Sequence, residues 1–539
     1  MHTALGGQIG HPVSDLSADA IVIGAGPNGL VAAITLADAG WDVVVLEANA
    51  EPGGAVRTAE ITAPGFRNDL FSAFYPFAVA SPVLQRLHLE RHGLRWLHAP
   101  AAIAQPVRDA PAAILSRDLD ASAASLDAFA AGDGDAWREL YKVFDRIGED
   151  LIGALLGPFP PVRAGARLAA RLGPRRGIEF GRLALVPIRR LVEETFSGEG
   201  GRLLLTGTAM HADVSPEGAG SGLLGWMMAS LGQRFGFPVP EGGAQRLTDA
   251  LVARLEDAGG RVVCAERVTS VTIRGGRAVG VLTENGVHAN ARRAVLADTD
   301  AVTLYRQLVG DSHLPTDVRR GLARFHRGYA TVKVDWALRE PIPWSDATVS
   351  TAGTVHLASS VDELTITAAQ LACNVVPENP FVLLGQMTTA DPSRSPAGTE
   401  SVWAYAHVPV EPRGDAGNDG ISGPWDEQGA SAFARRIEQR IEAHAPGFTE
   451  RVIARHIFTP KSLETANANL VDGDVGGGTA QLHQQLVFRP VPGLARAETP
   501  IKGLYLASAS AHPGGGVHGA CGANAARAAL AHDRVRLLR

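Results

Sequence analysis

Asp19-Ala-Ile-Val-Ile-Gly-Ala-Gly-Pro-Asn-Gly-Leu30, followed by Val43-Val-Val-Leu-Glu-Ala48, is the stretch of this chain whose reading decides the fold. The apolar run Ala20 to Ile23 reads as a buried parallel strand that delivers the chain into Gly24-x-Gly26-x-x-Gly29 at the head of a helix. Gly24 permits the tight turn, Gly26 lets backbone approach a pyrophosphate, and Gly29 lets the helix pack closely on the strand. The free amides and the positive end of that helix then suit phosphate. A second strand, Asp42 to Leu46, ends in Glu47, about 20 residues past the glycines, where a carboxylate accepts hydrogen bonds from a ribose. A lone glycine motif is weak evidence. Here strand, glycines, helix, strand and acid arrive in order, which points to a bound dinucleotide.

Composition bounds the rest. At 539 residues, 45% hydrophobic and 20% charged, the chain has the length for two or more domains and the texture of a globular protein. A net charge of −6 gives no general attraction to nucleic acid, so none is expected as a partner. Cys264, Cys373 and Cys521 are far apart and form no CxxC pair, which argues against a disulfide framework or a redox dithiol. No metal-ligand spacing is evident. Residues 1–18 lack a basic start and an apolar run, and read as a disordered leader. No stretch reaches the ~18 apolar residues of a membrane span, so a cytoplasmic location is expected. Oligomeric state is not legible.

Further along, Gly53-Gly54-Ala55 would let a loop pass tightly against a ligand. Phe71, Phe74, Tyr75 and Phe77 form an aromatic cluster just after it. A mainly helical stretch is expected from about 136 to 235. Within it Arg163, Arg167, Arg171 and Arg175 share one helical face, Arg176, Arg182, Arg189 and Arg190 add to it, and only Glu179 opposes. Segment 163–190 therefore reads either as a solvated face or as a peripheral contact with an anionic membrane. Gly220-x-Gly222-x-x-Gly225 repeats the glycine spacing without a preceding strand, and is not expected to bind a nucleotide. A helix with Leu247, Leu251 and Leu255 on one stripe introduces a return to sheet at 261–283, with Val268 opening a strand. Strands are expected at Ala330 to Leu338, Phe381 to Met387 and Val402 to Val408, with a helix at Ser431 to Ala443. Near the end, Gly503 to Ala507 reads as a buried strand feeding His512-Pro-Gly-Gly-Gly516-Val517 and an alanine-rich helix, a second device for approaching an electron-rich ligand.

Gly-Gly-Ala-x-x-Thr at 53–58, Pro240-x-Gly242-Gly243, Thr459-Pro460-x-x-Leu463-Glu464, Arg489-Pro490 and the His512 to Val517 loop together resemble the phytoene desaturase-like, or carotenoid/retinoid oxidoreductase, family over nearly the whole chain. The resemblance implies an α/β fold: a Rossmann-type FAD-binding domain of the amine oxidase/phytoene desaturase kind, with a discontinuous α+β substrate domain. FAD-binding segments are expected at 19–105, 236–300 and 495–539, and substrate-domain segments at 106–235 and 301–494. FAD would lie with its pyrophosphate over Gly24, Gly26, Pro27, Asn28 and Gly29 and its ribose at Glu47 and Ala48. Val268 would stand on the adenine side. The isoalloxazine would lie between Gly53, Gly54 and Ala55 and the loop of Gly515, Gly516 and Val517.

In such a fold a flavin takes a hydride from carbon while a neighbouring proton leaves. The resemblance implies desaturation of a hydrophobic, polyisoprenoid-like small molecule, with oxygen, a quinone or another diffusible acceptor taking the electrons. His512 is the candidate base, since imidazole titrates near neutrality, with anchoring of its loop by hydrogen bonding as the competing reading. Phe71, Tyr75 and Trp226 are the candidate substrate contacts, with a place in the hydrophobic core as the competing reading. Amine oxidation is disfavoured by Ala55, where amine oxidases commonly have arginine. A non-catalytic flavoprotein is the third reading.

Overall fold

The computed structural model describes residues 16–537. Strand Leu16–Ile23 lies inside a seven-stranded sheet, parallel to Val43–Leu46 on one side and to His288–Ala297 on the other. Arg261–Val263 extends the sheet beyond Val43–Leu46, and Leu504–Leu506 joins the C-terminal half of His288–Ala297, both in parallel. Val268–Arg274 and Arg277–Thr283 form an antiparallel hairpin against the N-terminal half of the same strand. All four residues of Val43–Leu46 are buried, as a parallel strand covered on both faces requires.

One face of this sheet is covered by the first helix, Pro27–Ala37, together with Gln245–Asp257 and the last helix, Ala520–Leu537. Pro27 sits in the first turn, where its missing N–H leaves no helical bond unmade. The first and last helices cross so closely that a Cβ on Gly522 would stand 1.9 Å from the Asn28 carbonyl oxygen. The opposite face is covered by Ala301, Leu304, Tyr305, Leu308, Val318 and Leu322.

A second seven-stranded sheet runs in the order Val452–Phe458, Ala330–Leu338, Glu400–Val408, Val382–Gln386, Ala352–Leu357, Ala101–Val107, Ala110–Leu115. Strand alternation gives it two characters. Val332, Val334, Trp336 and Leu338, with Val402, Ala404 and Ala406, pack against Phe433, Ile437 and Ile441 of helix Glu427–Glu442. Thr331, Lys333 and Asp335, with Ser401, Trp403, Tyr405 and His407, occupy the other face. Helices Asp133–Leu156, Val162–Leu183, Ile188–Thr195, Glu199–His211 and Ser221–Phe235 form a third layer. Among the described residues no helix is long and apolar enough to cross a membrane.

The segment boundaries differ from those read in the sequence. Leu16 to Ala18 already belong to the first strand, and the rest of the expected leader, residues 1–15, lies outside the described residues. Ala101–Val107 pairs with Ala352–Leu357 of the second sheet, so the departure from the first domain precedes residue 101. Residues 301–322, expected in the substrate domain, back the first sheet because Leu304, Tyr305 and Leu308 fill its far face. Gly222 and Gly225 serve helix packing: a Cβ would stand 2.6 Å from the Val186 carbonyl oxygen and 3.1 Å from Ala209, respectively.

Candidate functional site

The glycine turn is bare because side chains cannot enter it. A Cβ on Gly29 would stand 2.1 Å from the Gly24 carbonyl oxygen, and Gly24 itself has φ +92°. The Gly53–Gly54 loop lies directly on this turn: Gly53 N–H donates to the Ala25 carbonyl at 2.9 Å, and a Cβ on Gly54 would be 3.0 Å from Gly26 Cα. Ala55 follows within the same loop, its carbonyl accepting from the Ser72 hydroxyl at 2.8 Å. Asn28 Oδ1, in the first helical turn, is buried without a partner. Glu47 holds the turn from the other side, with Oε2 accepting from Ala25 N–H at 2.8 Å and Oε1 from Asn49 N–H at 2.9 Å. Backbone bonds from Glu47 to Val263 and Glu266 bring the Val263–Val268 segment beside Glu47 and Ala48, with Val268 buried in the sheet core.

Asp298, which the sequence reading missed, is built into the same turn. It directly follows strand His288–Ala297, and its Oδ2 accepts from Gly29 N–H at 2.8 Å. Burial pushes its carboxyl up to about 7. The available signal was an acid ending an apolar run, Ala294 to Ala297, like Glu47 after Val43 to Leu46.

At the far end of the site, Arg489 organises two loops. Its buried guanidinium donates to the carbonyls of Gly476, Gly477, Thr479 and Ala509 at 2.7–3.0 Å. Gly515 then packs so tightly that its Cβ would stand 2.9 Å from the Gly476 carbonyl oxygen. Val517 packs against the core beneath the first helix. His518 Nδ1 accepts from Ala520 N–H at the start of the last helix, and burial lowers its pKa to about 4. Burial also pushes the Cys521 thiol up to about 12, which keeps it protonated and poorly nucleophilic.

His512 does not stand with the glycine loop. Its Nε2 lies 3.2 Å from the Gly157 carbonyl, its ring packs edge-on against Phe159, and it borders a cavity of about 250 Å³ shared with Asn524 and Arg527. Burial lowers its pKa. These contacts pin the loop to the helical layer, in keeping with the anchoring reading of this histidine.

Three members of the aromatic cluster form a partly exposed wall from the glycine loop to the second sheet. Phe77 lies 3.7 Å from a Cβ position on Gly516, Phe74 packs on Trp403 with ring centroids 6.0 Å apart, and Phe71 packs on Phe458 at 6.3 Å. Tyr75 is instead buried, its hydroxyl bonded to the Ser72 carbonyl at 2.9 Å. Trp226 is likewise core: it has no exposed surface, its indole N–H donates to the Leu140 carbonyl, and Phe144 and Phe180 enclose it. The aromatic patterns of wall and core look alike in sequence. Only packing separates them.

Lys333 and Asp335, on the sheet face described above, were also missed. Lys333 Nζ donates to Asp335 Oδ1 at 2.6 Å and lies 5.7 Å from the centroid of Phe458. Burial raises the Asp335 pKa to about 6 even though Lys333 opposes the shift. Single buried charged residues on strands carry no sequence motif.

A pH effect follows from the histidines behind this sheet. His211 and His356 ring nitrogens lie 3.3 Å apart, and burial lowers the His211 pKa to about 4. A depressed folded-state pKa gives stability that is present above the unfolded value near 6.5 and lost as pH falls toward 4. His211→Gln should therefore lose about 2 kcal/mol less than the parent chain on going from pH 7.5 to 5, read as the difference in urea-unfolding free energies. Equal losses in both proteins would refute the assignment.

The site fits FAD: a side-chain-free turn at a helix start, an unpartnered Asn28 oxygen beside it, an acid at the adenosine side, and a second glycine loop clamped opposite. The sequence pattern of the NAD(P)-binding Rossmann-like domain matches residues 22–101, and that of flavin containing amine oxidoreductase matches residues 167–394. Pyridine nucleotide-disulfide oxidoreductase domain-containing protein 2 of Mus musculus is 29% identical, covering 94% of this chain and 92% of that protein. One of the subunits of limonene dehydrogenase from Castellaniella defragrans is 26% identical over 94% of both chains. A lycopene-forming phytoene desaturase of Pseudescherichia vulneris is 26% identical over 56% of this chain and 58% of that one. With the glycine turn, the clamped loop and these relatives in agreement, the chain is a phytoene desaturase-like flavoprotein, an FAD-dependent oxidoreductase.

Proposed function

We propose that the protein desaturates a hydrophobic small molecule of polyisoprenoid kind and passes the electrons to oxygen, a quinone or another diffusible acceptor. The observation that carries this reading is the Phe77, Phe74, Phe71 wall, an apolar surface leading from the glycine loop to the second sheet. Relatives named for limonene and phytoene support it. Bound FAD supplies a two-electron acceptor for a hydride. The wall orients the substrate and keeps water away. Lys333, beside Phe458, and Asp335 form a buried ion pair that backs this surface on the second sheet.

The test is anaerobic mixing of the FAD-loaded protein with unsaturated isoprenoids and, separately, with primary and secondary amines. Bleaching of the visible flavin band by an isoprenoid, with one new double bond in the product, is expected. Bleaching by amines alone would establish amine oxidation instead. Bleaching by neither would point to a non-catalytic flavoprotein.

We also infer that segment 162–185 docks on an anionic membrane, the source of such a substrate. Val162, Ile178 and Leu185, at 72, 77 and 65% exposure, are the most exposed large hydrophobic side chains among the described residues. They share their helix and its end with arginines. Arg167 and Arg171 bind Asp150, whereas Arg163 and Arg176 have no ion pair among the described residues. Exposed apolar side chains flanked by arginine suit the headgroup boundary. The protein should sediment with vesicles containing phosphatidylglycerol and not with pure phosphatidylcholine, and a double variant Ile178→Glu, Leu185→Glu should reduce that binding about tenfold or more. Undiminished sedimentation of the variant would sink the assignment.

A further inference from the structure

The glycine turn contains a carboxyl where an anion is to be bound. Asp298 Oδ2 is 2.8 Å from Gly29 N and would be 2.6 Å from a Cβ on Gly26, so it lies inside the turn itself. Its residue is only 6% exposed. The Asp298 main chain is fixed as well: its N–H donates to the Ile23 carbonyl at 2.8 Å and its carbonyl accepts from Asn469 Nδ2 at 2.9 Å. The side chain therefore has little freedom to withdraw.

We propose that Asp298 is a cofactor-binding carboxyl that accommodates the pyrophosphate only when protonated, so that FAD affinity weakens as pH rises through neutrality. When ionised, it would place a negative charge beside a second one and compete for the amides of the helix start. When neutral, it still accepts from Gly29 and has an O–H to offer a phosphate oxygen.

The surroundings do not neutralise an ionised Asp298. Glu47 faces it across Ala25 and is itself acidic. Cys521, on the last helix, stays protonated. Asp300, two residues on, is paired with Arg327 at 2.9 Å, so those charges cancel. Burial already pushes the Asp298 carboxyl up to about 7 without a ligand, and phosphate charge raises it further. The sign follows from linkage. Above neutrality the FAD-bound protein holds a proton that the apoprotein has lost, so binding takes up protons and weakens by up to about tenfold per pH unit.

The inference rests on the FAD assignment and not on the proposed desaturation, and its test reads binding alone. Apoprotein is titrated with FAD, following quenching of flavin fluorescence from about pH 6 to about pH 8.5. For the parent chain, Kd should rise about tenfold or more across that range. Asp298→Asn keeps the acceptor for Gly29 and cannot ionise, so its Kd should stay flat within about twofold and be the lower of the two at the alkaline end. Parallel slopes in the two proteins would overturn the proposal. Should the variant fail to fold, calorimetry of the parent chain in two buffers of different ionisation enthalpy decides the matter. Net proton uptake on FAD binding above neutrality supports the proposal, and none overturns it.

Discussion

Arg489→Met is expected to release FAD and destabilise the fold by about 3–5 kcal/mol, because it leaves several buried carbonyls without donors. The guanidinium is 1% exposed and bonds only to main-chain oxygens of residues 476–479 and 509. Besides this guanidinium, the Ser510 hydroxyl also joins the two loops, donating to the Gly477 carbonyl at 3.1 Å. Methionine fills much of the volume and supplies no donor. Arg489→Lys should recover only part of the loss, since one ammonium cannot span carbonyls that a planar fork reaches from both sides. Urea unfolding followed by flavin fluorescence and by far-UV dichroism reads the two effects separately. Flavin should leave at lower urea than the helices melt, because the loops open first. An unchanged midpoint and full FAD content in Arg489→Met would show that the carbonyls find water instead.

How much of this was legible in sequence depends on whether a residue's task is local. Gly24, Gly26 and Gly29 act within one turn, so their spacing announces them. The strands Ala330–Leu338 and Glu400–Val408 were visible because apolar residues alternate or run on, though helix Glu427–Glu442 starts four residues earlier than its apolar stripe suggested. Asp298 acts across 269 residues, on Gly29, and nothing near it in sequence marks the partner; Arg489 reaches only 10 to 20 residues, to the 476–479 loop and Ala509, but its partners are main-chain oxygens that carry no sequence signal. His512 shows the converse case. Its place beside the glycines suggested chemistry, whereas its ring turns outward to Gly157 and Phe159, contributed by a distant helical layer. Trp226 left the same two readings open, since a chamber wall and a helix core both call for large apolar side chains, and its full burial places it in the core. The boundary near residue 301 was misplaced because an apolar stripe does not say which sheet it will cover.

The joint between the two sheets is where charge burial should matter most. Asp69 and Arg394 are both fully buried and 2.9 Å apart. Asp69 Oδ1 also accepts from Thr58 Oγ1 at 2.6 Å and from Ala244 N–H at 2.8 Å, while Arg394 donates to the Arg67 carbonyl at 3.0 Å. One ion pair thereby ties the segment after the Gly53–Gly54 loop, the start of helix Gln245–Asp257 and the region beside strand Glu400–Val408. Asp69 Oδ2 and Arg394 Nη1 have no partners, so the pair is incompletely solvated by protein. Asp69→Asn keeps the shape and strands the guanidinium as an uncompensated buried charge, which should cost about 3–5 kcal/mol. Arg394→Met strands the carboxylate and should cost a similar amount. The double variant removes both charges and should be less destabilised than the sum of the singles by about 2 kcal/mol or more. That coupling, measured by urea unfolding of all four proteins, separates a pair that stabilises from one that specifies. If the double variant approaches the parent in stability yet binds FAD less tightly, the pair's contribution is to fix how the second sheet sits over the glycine loops. Additive losses would mean that the two groups act independently, with their bonds to Thr58, Ala244 and Arg67 carrying the joint.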